Sequence, residues 1–397
     1  MQIKSITSLV GFLGEFLPGG IPHDSKNEKY SILPSVKNPR WIVPVFDKKL
    51  FISSLALYQP SLLRAKILKQ LAILTARGGF TNIGKKPAVY FRKNDDAIKK
   101  IFGRDDLYYA IFLGTEGCHK KITIQVMNSG GDILGYIKVS GNKDVDELLK
   151  NEAGILEDMR NLSLNNGLFP EVLYHGPVKG VDILVLDTLK SAHSKYDSNL
   201  SDAHIDFLAE IFLKTSMVIK YRESKFAKRL KERVRDLEVE KLRNSEDERL
   251  RELGKIRDFI EEKIGNELVP FGLCHRDFTP WNTFFHDGRL YVFDWEYAER
   301  EYPPMLDIFH FIVQDGILVR HLKPAGLLKR VMKNEKMLSK YSSLVGIRDE
   351  LSMPLLLCYL LDISLLYIER EKGRIEGNIK HMLDTWAGMM ELIRGDG

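Results

Sequence analysis

The chain has 397 residues, 44% of them hydrophobic, enough to bury two or three cores of an ordinary globular protein. Its 59 Lys and Arg against 54 Asp and Glu leave a formal charge of only +5, and the two signs alternate along the chain, so no nucleic-acid partner is expected. Three cysteines, Cys118, Cys274 and Cys358, are an odd number without paired spacing; they indicate neither a disulfide framework nor a zinc knuckle, and fit a reducing, cytoplasmic setting.

At the N-terminus an apolar stretch around Leu9 to Leu17 is interrupted by Glu15 and is followed by no small-residue cleavage pattern, so no signal peptide is expected. Arg40 to Val45 and Lys49 to Ile52 read as short strands. Ser61 to Arg77 has helical spacing at Leu62, Ile67, Leu68, Leu71 and Leu74. Residues 1–104 form an accessory region whose role the sequence does not spell out.

From Tyr108 the pattern changes. Lys121 to Val126 alternates apolar and polar residues, Ser129-Gly130-Gly131-Asp132 supplies a turn that tolerates positive φ, and Leu134 to Val139 returns as a second strand. Asp144 to Arg160 is helical, with Val145, Leu148, Leu149, Ile155 and Leu156 on its apolar side. Strands follow at Glu171 to Tyr174 and Val181 to Leu186. Strand, strand, helix, strand, strand within about 80 residues fits the small lobe of a kinase-like fold. That lobe is assigned to 105–190, and a helical lobe to 191–397.

Tyr221 to Lys263 is densely charged. Leu230, Val234 and Leu237 form one apolar stripe, Leu250, Leu253 and Ile260 another, and Ser245 and Glu248 can form a capping box between them. The region reads either as a pair of solvated helices or as a surface for a partner. Pro354 to Ile368 is the longest apolar run, but it contains Asp362 and falls short of the roughly 20 residues a membrane-spanning helix needs. It is read as a buried core helix, and no integral membrane segment is expected.

The chemistry is concentrated in His275-Arg276-Asp277-Phe278-Thr279-Pro280-Trp281-Asn282, followed by the short apolar strand Leu290 to Phe293 that ends in Asp294. An H-R-D with Asn five residues after its Asp, then a strand ending in Asp, is the catalytic-loop pattern of kinases. Phosphoryl transfer requires metal ions on the phosphates, an oriented acceptor oxygen and a group to take its proton. Asp277 suits the last task, because a carboxylate facing a hydroxyl aligns it and accepts its proton late. Asn282 and Asp294 offer the hard oxygen donors that Mg²⁺ prefers, and a hairpin turning at Asp287-Gly288 would bring them together. A metallohydrolase built on His275, Asp277, His286 and Asp294 is a weaker reading, since no H-x-x-x-H or H-x-H pairing accompanies them.

The segment resembles the aminoglycoside phosphotransferase and choline kinase superfamily, whose loop reads H-x-D-x-x-x-x-N with a metal-site Asp at the next strand end; His275, Asp277, Asn282 and Asp294 match in turn. D-W-E-Y-A and Pro303-Pro304-Met305-Leu306-Asp307 resemble the bacterial phosphotransferase-enzyme branch. The resemblance implies an α+β, two-lobed, protein-kinase-like fold, with an antiparallel small lobe and a mainly helical large lobe. It makes His275 a loop buttress first and a catalytic group second, and Asp307 a helix-capping or loop-bracing carboxylate. Lys138 would reach the nucleotide phosphates, with Glu152 rather than Glu147 or Glu157 as its partner, and Gly114 and Gly117 would cover them. Leu113 to Cys118 departs from pattern in carrying two glycines where G-x-G-x-x-G has three.

The expected activity is transfer of the γ-phosphate of Mg·ATP to a hydroxyl of a small molecule or glycan. The path from Asp294 to Pro303 is too short for a protein kinase's peptide platform and holds no A-P-E, which favours a small acceptor. The alternative is an inactive, kinase-like nucleotide-binding or scaffold protein, which would be expected to have lost Asp277, Asn282 or Asp294.

Overall fold

The structure is a computed structural model that describes residues 14–17, 28–35, 37–58, 63–79, 81, 88–93, 96–114, 119–191, 194, 196–244, 248–371 and 375–395. The chain divides into two units, Met1–Asn161 with Phe169–Lys195, and Leu162–Leu168 with Tyr196–Gly397.

The first unit is organised around one antiparallel sheet. Its strands are β1 (Gly14–Leu17), β2 (Glu28–Pro34), β3 (Pro39–Pro44), β4 (Ala88–Lys93), β5 (Tyr108–Phe112), β6 (Ile122–Met127), β7 (Ile133–Val139), β9 (Val172–Val178) and β10 (Val181–Asp187); β8 (Gly167–Leu168) belongs to the second unit. The order across the sheet is β1-β4-β2-β3-β5-β6-β7-β10-β9. The strands before residue 104 continue the sheet, because β3 pairs with β5 through Trp41 opposite Phe112 and Ile42 opposite Ile111. Alternation sends Ile122, Ile124 and Val126 of β6 into a core shared with Ile42, Tyr109, Ile111, Ile137, Val139, Ile183 and Val185. The turn from β6 to β7 needs Gly131, whose φ of +85° is costly for a residue bearing Cβ.

Helices α1 (Lys48–Ser54), α2 (Leu63–Arg77), α3 (Asp96–Phe102) and α4 (Lys143–Arg160) complete this unit. The strand expected at Lys49 to Ile52 is instead the body of α1. Asp47 decides the matter: its carboxylate accepts from the N–H of Lys49 at 2.7 Å and of Leu50 at 3.0 Å, capping a helix start that turns Leu50 and Phe51 inward. Helix α4 begins at Asn142, whose side chain accepts from the Val145 N–H, and it buries Val145, Leu149, Glu152, Leu156 and Met159 on one face.

The second unit is mainly helical: α5 (Asp202–Thr215), α6 (Lys225–Asn244), α7 (Glu248–Ile264), α8 (Leu306–Leu318), α9 (Pro324–Lys333), α10 (Glu335–Val345), α11 (Ser352–Arg370) and α12 (Gly377–Arg394). Two small sheets carry the loops between them: β11 (Met217–Lys220), β12 (Leu268–Cys274) and β15 (Glu299–Tyr302), and β13 (Thr283–His286), β14 (Arg289–Val292) and β8. Helices α6 and α7 pack against each other, burying Leu230 and Val234 on one and Leu253, Ile256 and Ile260 on the other; the capping residue expected between them, Ser245, lies outside the described residues. The apolar run from Pro354 lies in α11, which packs against α7, α8 and α12 and buries every residue from Leu355 to Leu365, as a core helix does.

Candidate active site

In the first unit, β7 carries Lys138 and α4 carries Glu152. The ammonium lies 2.7 Å and 2.6 Å from the two carboxylate oxygens, with Lys138 7% and Glu152 0% exposed. A buried pair of this kind is a demanding arrangement, since each charge loses water and depends on the other. Glu152, rather than Glu147 or Glu157, is therefore the partner of Lys138. Gly114 follows β5 with φ +83°, and a Cβ there would collide with the Lys121 carbonyl, so the position is held open for glycine. Gly117 lies outside the described residues.

In the second unit, β12 delivers the chain into the loop at His275. Asp307, in the first turn of α8, receives the N–H of His275 at 2.7 Å and that of Arg276 at 2.8 Å on its two oxygens. This carboxylate braces the loop, one of the two roles expected for it. The brace also supports Arg276 at φ +63°, a backbone region that non-glycine residues seldom occupy.

His275 is 1% exposed and joins the loop to the strand after it. The Asp277 N–H approaches its Nδ1 at 3.2 Å, so the ring proton sits on Nε2, which donates to the Phe293 carbonyl at 3.1 Å. Its ring rests against Trp295, centroids 4.4 Å apart.

Asp277 is held at both carboxylate oxygens. Oδ2 accepts from Asn282 Nδ2 at 2.8 Å, and Oδ1 lies 3.2 Å from His310 Nε2. Asn282 Nδ2 also donates to the Asp277 carbonyl at 2.9 Å, so both bonds use the amide nitrogen and turn the amide oxygen away from Asp277. The β13–β14 hairpin then returns the chain. Asp287 and Gly288, with φ +48° and +77°, make the two-residue turn, and the Phe293 N–H donates to the Asn282 carbonyl at 3.1 Å. Asn282 and the residue preceding Asp294 are thereby tied together. Asp294 itself stands at φ +72°, with the Trp295 indole anchored on the Val292 carbonyl at 3.1 Å.

Sequence reasoning missed His310 and Tyr359. His310 is 4% exposed and sits on α8 one turn beyond Asp307; the Tyr359 hydroxyl of α11 lies 3.3 Å from its Nδ1. Burial pushes the Tyr359 phenol well up, so its O–H donates to Nδ1 while Nε2–H of His310 donates to Asp277. The available signal was the spacing of Asp307 and His310, which puts both on one side of a helix.

Behind the loop, Arg276 forms an ion pair with Asp362 at 2.9 Å and lies over the Tyr302 ring, 4.7 Å from its centroid. Arg233 of α6 contacts the other Asp362 oxygen at 2.6 Å. Burial raises the Asp362 carboxyl, but Arg276 and Arg233 outweigh it and hold the group below the usual carboxylate range.

Residues 146–319 match the model of the phosphotransferase enzyme family, a span that runs from α4 through α8 and includes Glu152, the His275–Asn282 loop, Asp294 and His310. No curated protein sequence matches the chain. Similar solved structures include a wild-type aminoglycoside 2′-phosphotransferase-IIIa in its GDP complex, 15% identical, covering 75% of this chain and 96% of that one with a TM-score of 0.48. Another is a spectinomycin phosphotransferase in complex with ADP and spectinomycin, 16% identical, covering 74% and 92% of the two chains with a TM-score of 0.43. The resemblance read from the catalytic loop to the aminoglycoside phosphotransferase and choline kinase superfamily is borne out by the family match.

Proposed function

We propose that this chain, whose residues 146–319 follow the phosphotransferase enzyme family, moves the γ-phosphate of Mg·ATP onto a hydroxyl of a small molecule or glycan. The observation that carries the reading is the Asp277 carboxylate, fixed at one oxygen by Asn282 and at the other by His310 while remaining 32% exposed at its side chain. A carboxylate so oriented aligns an acceptor hydroxyl and takes its proton as the oxygen bonds to phosphorus. Asp277 is the base in this account, and His310 with Tyr359 positions it. His275 serves as a buttress.

The donor set suits a divalent cation. Asn282 keeps its amide oxygen turned from Asp277, and with the Asp294 carboxylate it supplies hard oxygen ligands of the kind Mg²⁺ takes. When bound, the ion would neutralise charge on the nucleotide phosphates. Lys138, oriented by Glu152, would bind phosphate oxygens, and Gly114 would allow backbone to approach them. The acceptor is small, because the eight residues between Asp294 and Pro303 leave no platform for a peptide.

Substituting Asp277→Asn tests the assignment. Asparagine keeps the size of the side chain but cannot take a proton, so transfer should fall by about 10²–10⁴-fold while ATP binding persists. Transfer to a panel of aminoglycoside, amino-alcohol and sugar acceptors, followed by ADP release, is the readout. Undiminished transfer by the variant would remove Asp277 from the chemistry.

A further inference from the structure

Helix α8 carries a third polar side chain on the side of Asp307 and His310. Gln314 follows His310 by four residues, so the two share a face of the helix, and α8 packs against α11, which brings Tyr359. Gln314 is 2% exposed, and among the described residues neither its amide nitrogen nor its amide oxygen has a hydrogen-bond partner. Buried amides are seldom left so, because each bond not made forfeits what water supplied. The neighbouring Asp315 makes no use of it, since that carboxylate is turned to Arg320 and Arg330 at 2.6 Å each. Tyr359 is the group within reach. Burial raises its phenol, and the Gln314 amide approaches closely enough to oppose that rise while falling short of the geometry of a bond.

The direction of the neighbouring bonds decides which end of the amide belongs there. His310 donates to Asp277 only while its ring proton is on Nε2, and this leaves Nδ1 to accept from the Tyr359 O–H. Having spent its proton, the Tyr359 oxygen keeps its lone pairs for a donor. The Gln314 amide nitrogen carries two suitable hydrogens. With the amide oxygen there instead, the hydroxyl would turn to Gln314, the ring proton would move to Nδ1, and a bare Nε2 would face the carboxylate. Only the nitrogen-first orientation lets every bond run one way, from Gln314 to Tyr359 to His310 to Asp277.

We propose that Gln314 is a positioning residue for Asp277: its amide N–H holds the Tyr359 hydroxyl toward His310, and so keeps the His310 ring proton on the side of the carboxylate. The consequence for catalysis rests on the phosphotransfer reading; the tautomer of His310 does not.

Gln314→Met in the full chain tests it, because methionine keeps the length of the side chain and removes both polar atoms. Nitrogen NMR of the His310 ring should show a single form protonated at Nε2 in the wild type, and a mixture of the two tautomers in the variant. With any acceptor that the wild type phosphorylates, kcat should fall about three- to tenfold with the KM for ATP unchanged. The melting temperature should hold or rise, since an unpartnered amide has left the interior. In the double variant Gln314→Met with His310→Phe, the loss should equal that of His310→Phe alone, because Gln314 acts through the imidazole. A His310 tautomer unchanged by Gln314→Met, or losses that multiply in the double variant, would overturn the proposal. A wild type that transfers phosphate to no acceptor would instead remove the phosphotransfer reading, and the tautomer comparison would still decide the role of Gln314.

Discussion

Asp277 accepts hydrogen bonds from two elements far apart in the chain: Asn282 of its own loop at 2.8 Å, and His310 of α8 at 3.2 Å. The second bond depends on Tyr359, whose hydroxyl sits on the far nitrogen of the imidazole. Removing the His310 N–H should therefore loosen one carboxylate oxygen without touching the nucleotide. His310→Phe is expected to lower kcat by about ten- to hundredfold with the KM for ATP nearly unchanged. His310→Gln, which can still donate to the carboxylate, should recover part of that loss. Steady-state kinetics on both variants distinguishes positioning from general destabilisation, because a folding defect would not be relieved selectively by a donor.

At the scale of elements, the His275–Asn282 loop is shaped by Asp307, which collects two consecutive N–H groups, one buried and one part-buried, from a stretch that contains a left-handed arginine. Asp307→Ala would leave both donors without their acceptor, and each unsatisfied group costs about 1–3 kcal/mol. A loss of about 2–4 kcal/mol in urea unfolding is expected; a change below about 0.5 kcal/mol would show that the loop holds its shape without the brace. Much of this site was legible beforehand, because His275, Asp277, Asn282 and Asp294 are spaced by a single loop and hairpin whose turn residues, Asp287 and Gly288, are readable. Lys138 and Glu152 were legible through the order of strand and helix. Tyr359 was not, and His310 only through its spacing from Asp307, since their relation to Asp277 arises from the packing of α8 and α11. The misreading of Lys49 to Ile52 had a different origin: a short mixed run fits either period, and the decision lay in the Asp47 side chain, which satisfies the first N–H groups of a helix.

At the scale of the molecule, the α+β division follows from two kinds of sequence. Alternating strands with a capped amphipathic helix make the first unit, and long apolar or striped helices make the second. Within the second unit, Asp362 of α11 ties together Arg276 of the loop, Arg233 of α6 and the Tyr302 hydroxyl of β15. Its carboxyl is held below its ordinary value when folded, so the unfolded chain binds the proton more readily. The stability from this group is fully present above the unfolded pKa of about 3.9 and is lost as pH falls through the lower folded value. Acid unfolding of the wild type should accordingly steepen below about pH 4, and Asp362→Asn should flatten that part of the profile. A variant profile parallel to the wild type would contradict the linkage.

The central claim is that Asp294 and Asn282 hold a metal for nucleotide phosphates. Calorimetry of ATP binding with and without Mg²⁺, on the wild type and on Asp294→Ala, tests it most directly. The account expects binding that Mg²⁺ strengthens in the wild type, and loss of the Mg²⁺ effect in the variant. Binding by Asp294→Ala with the same Mg²⁺ dependence would contradict it.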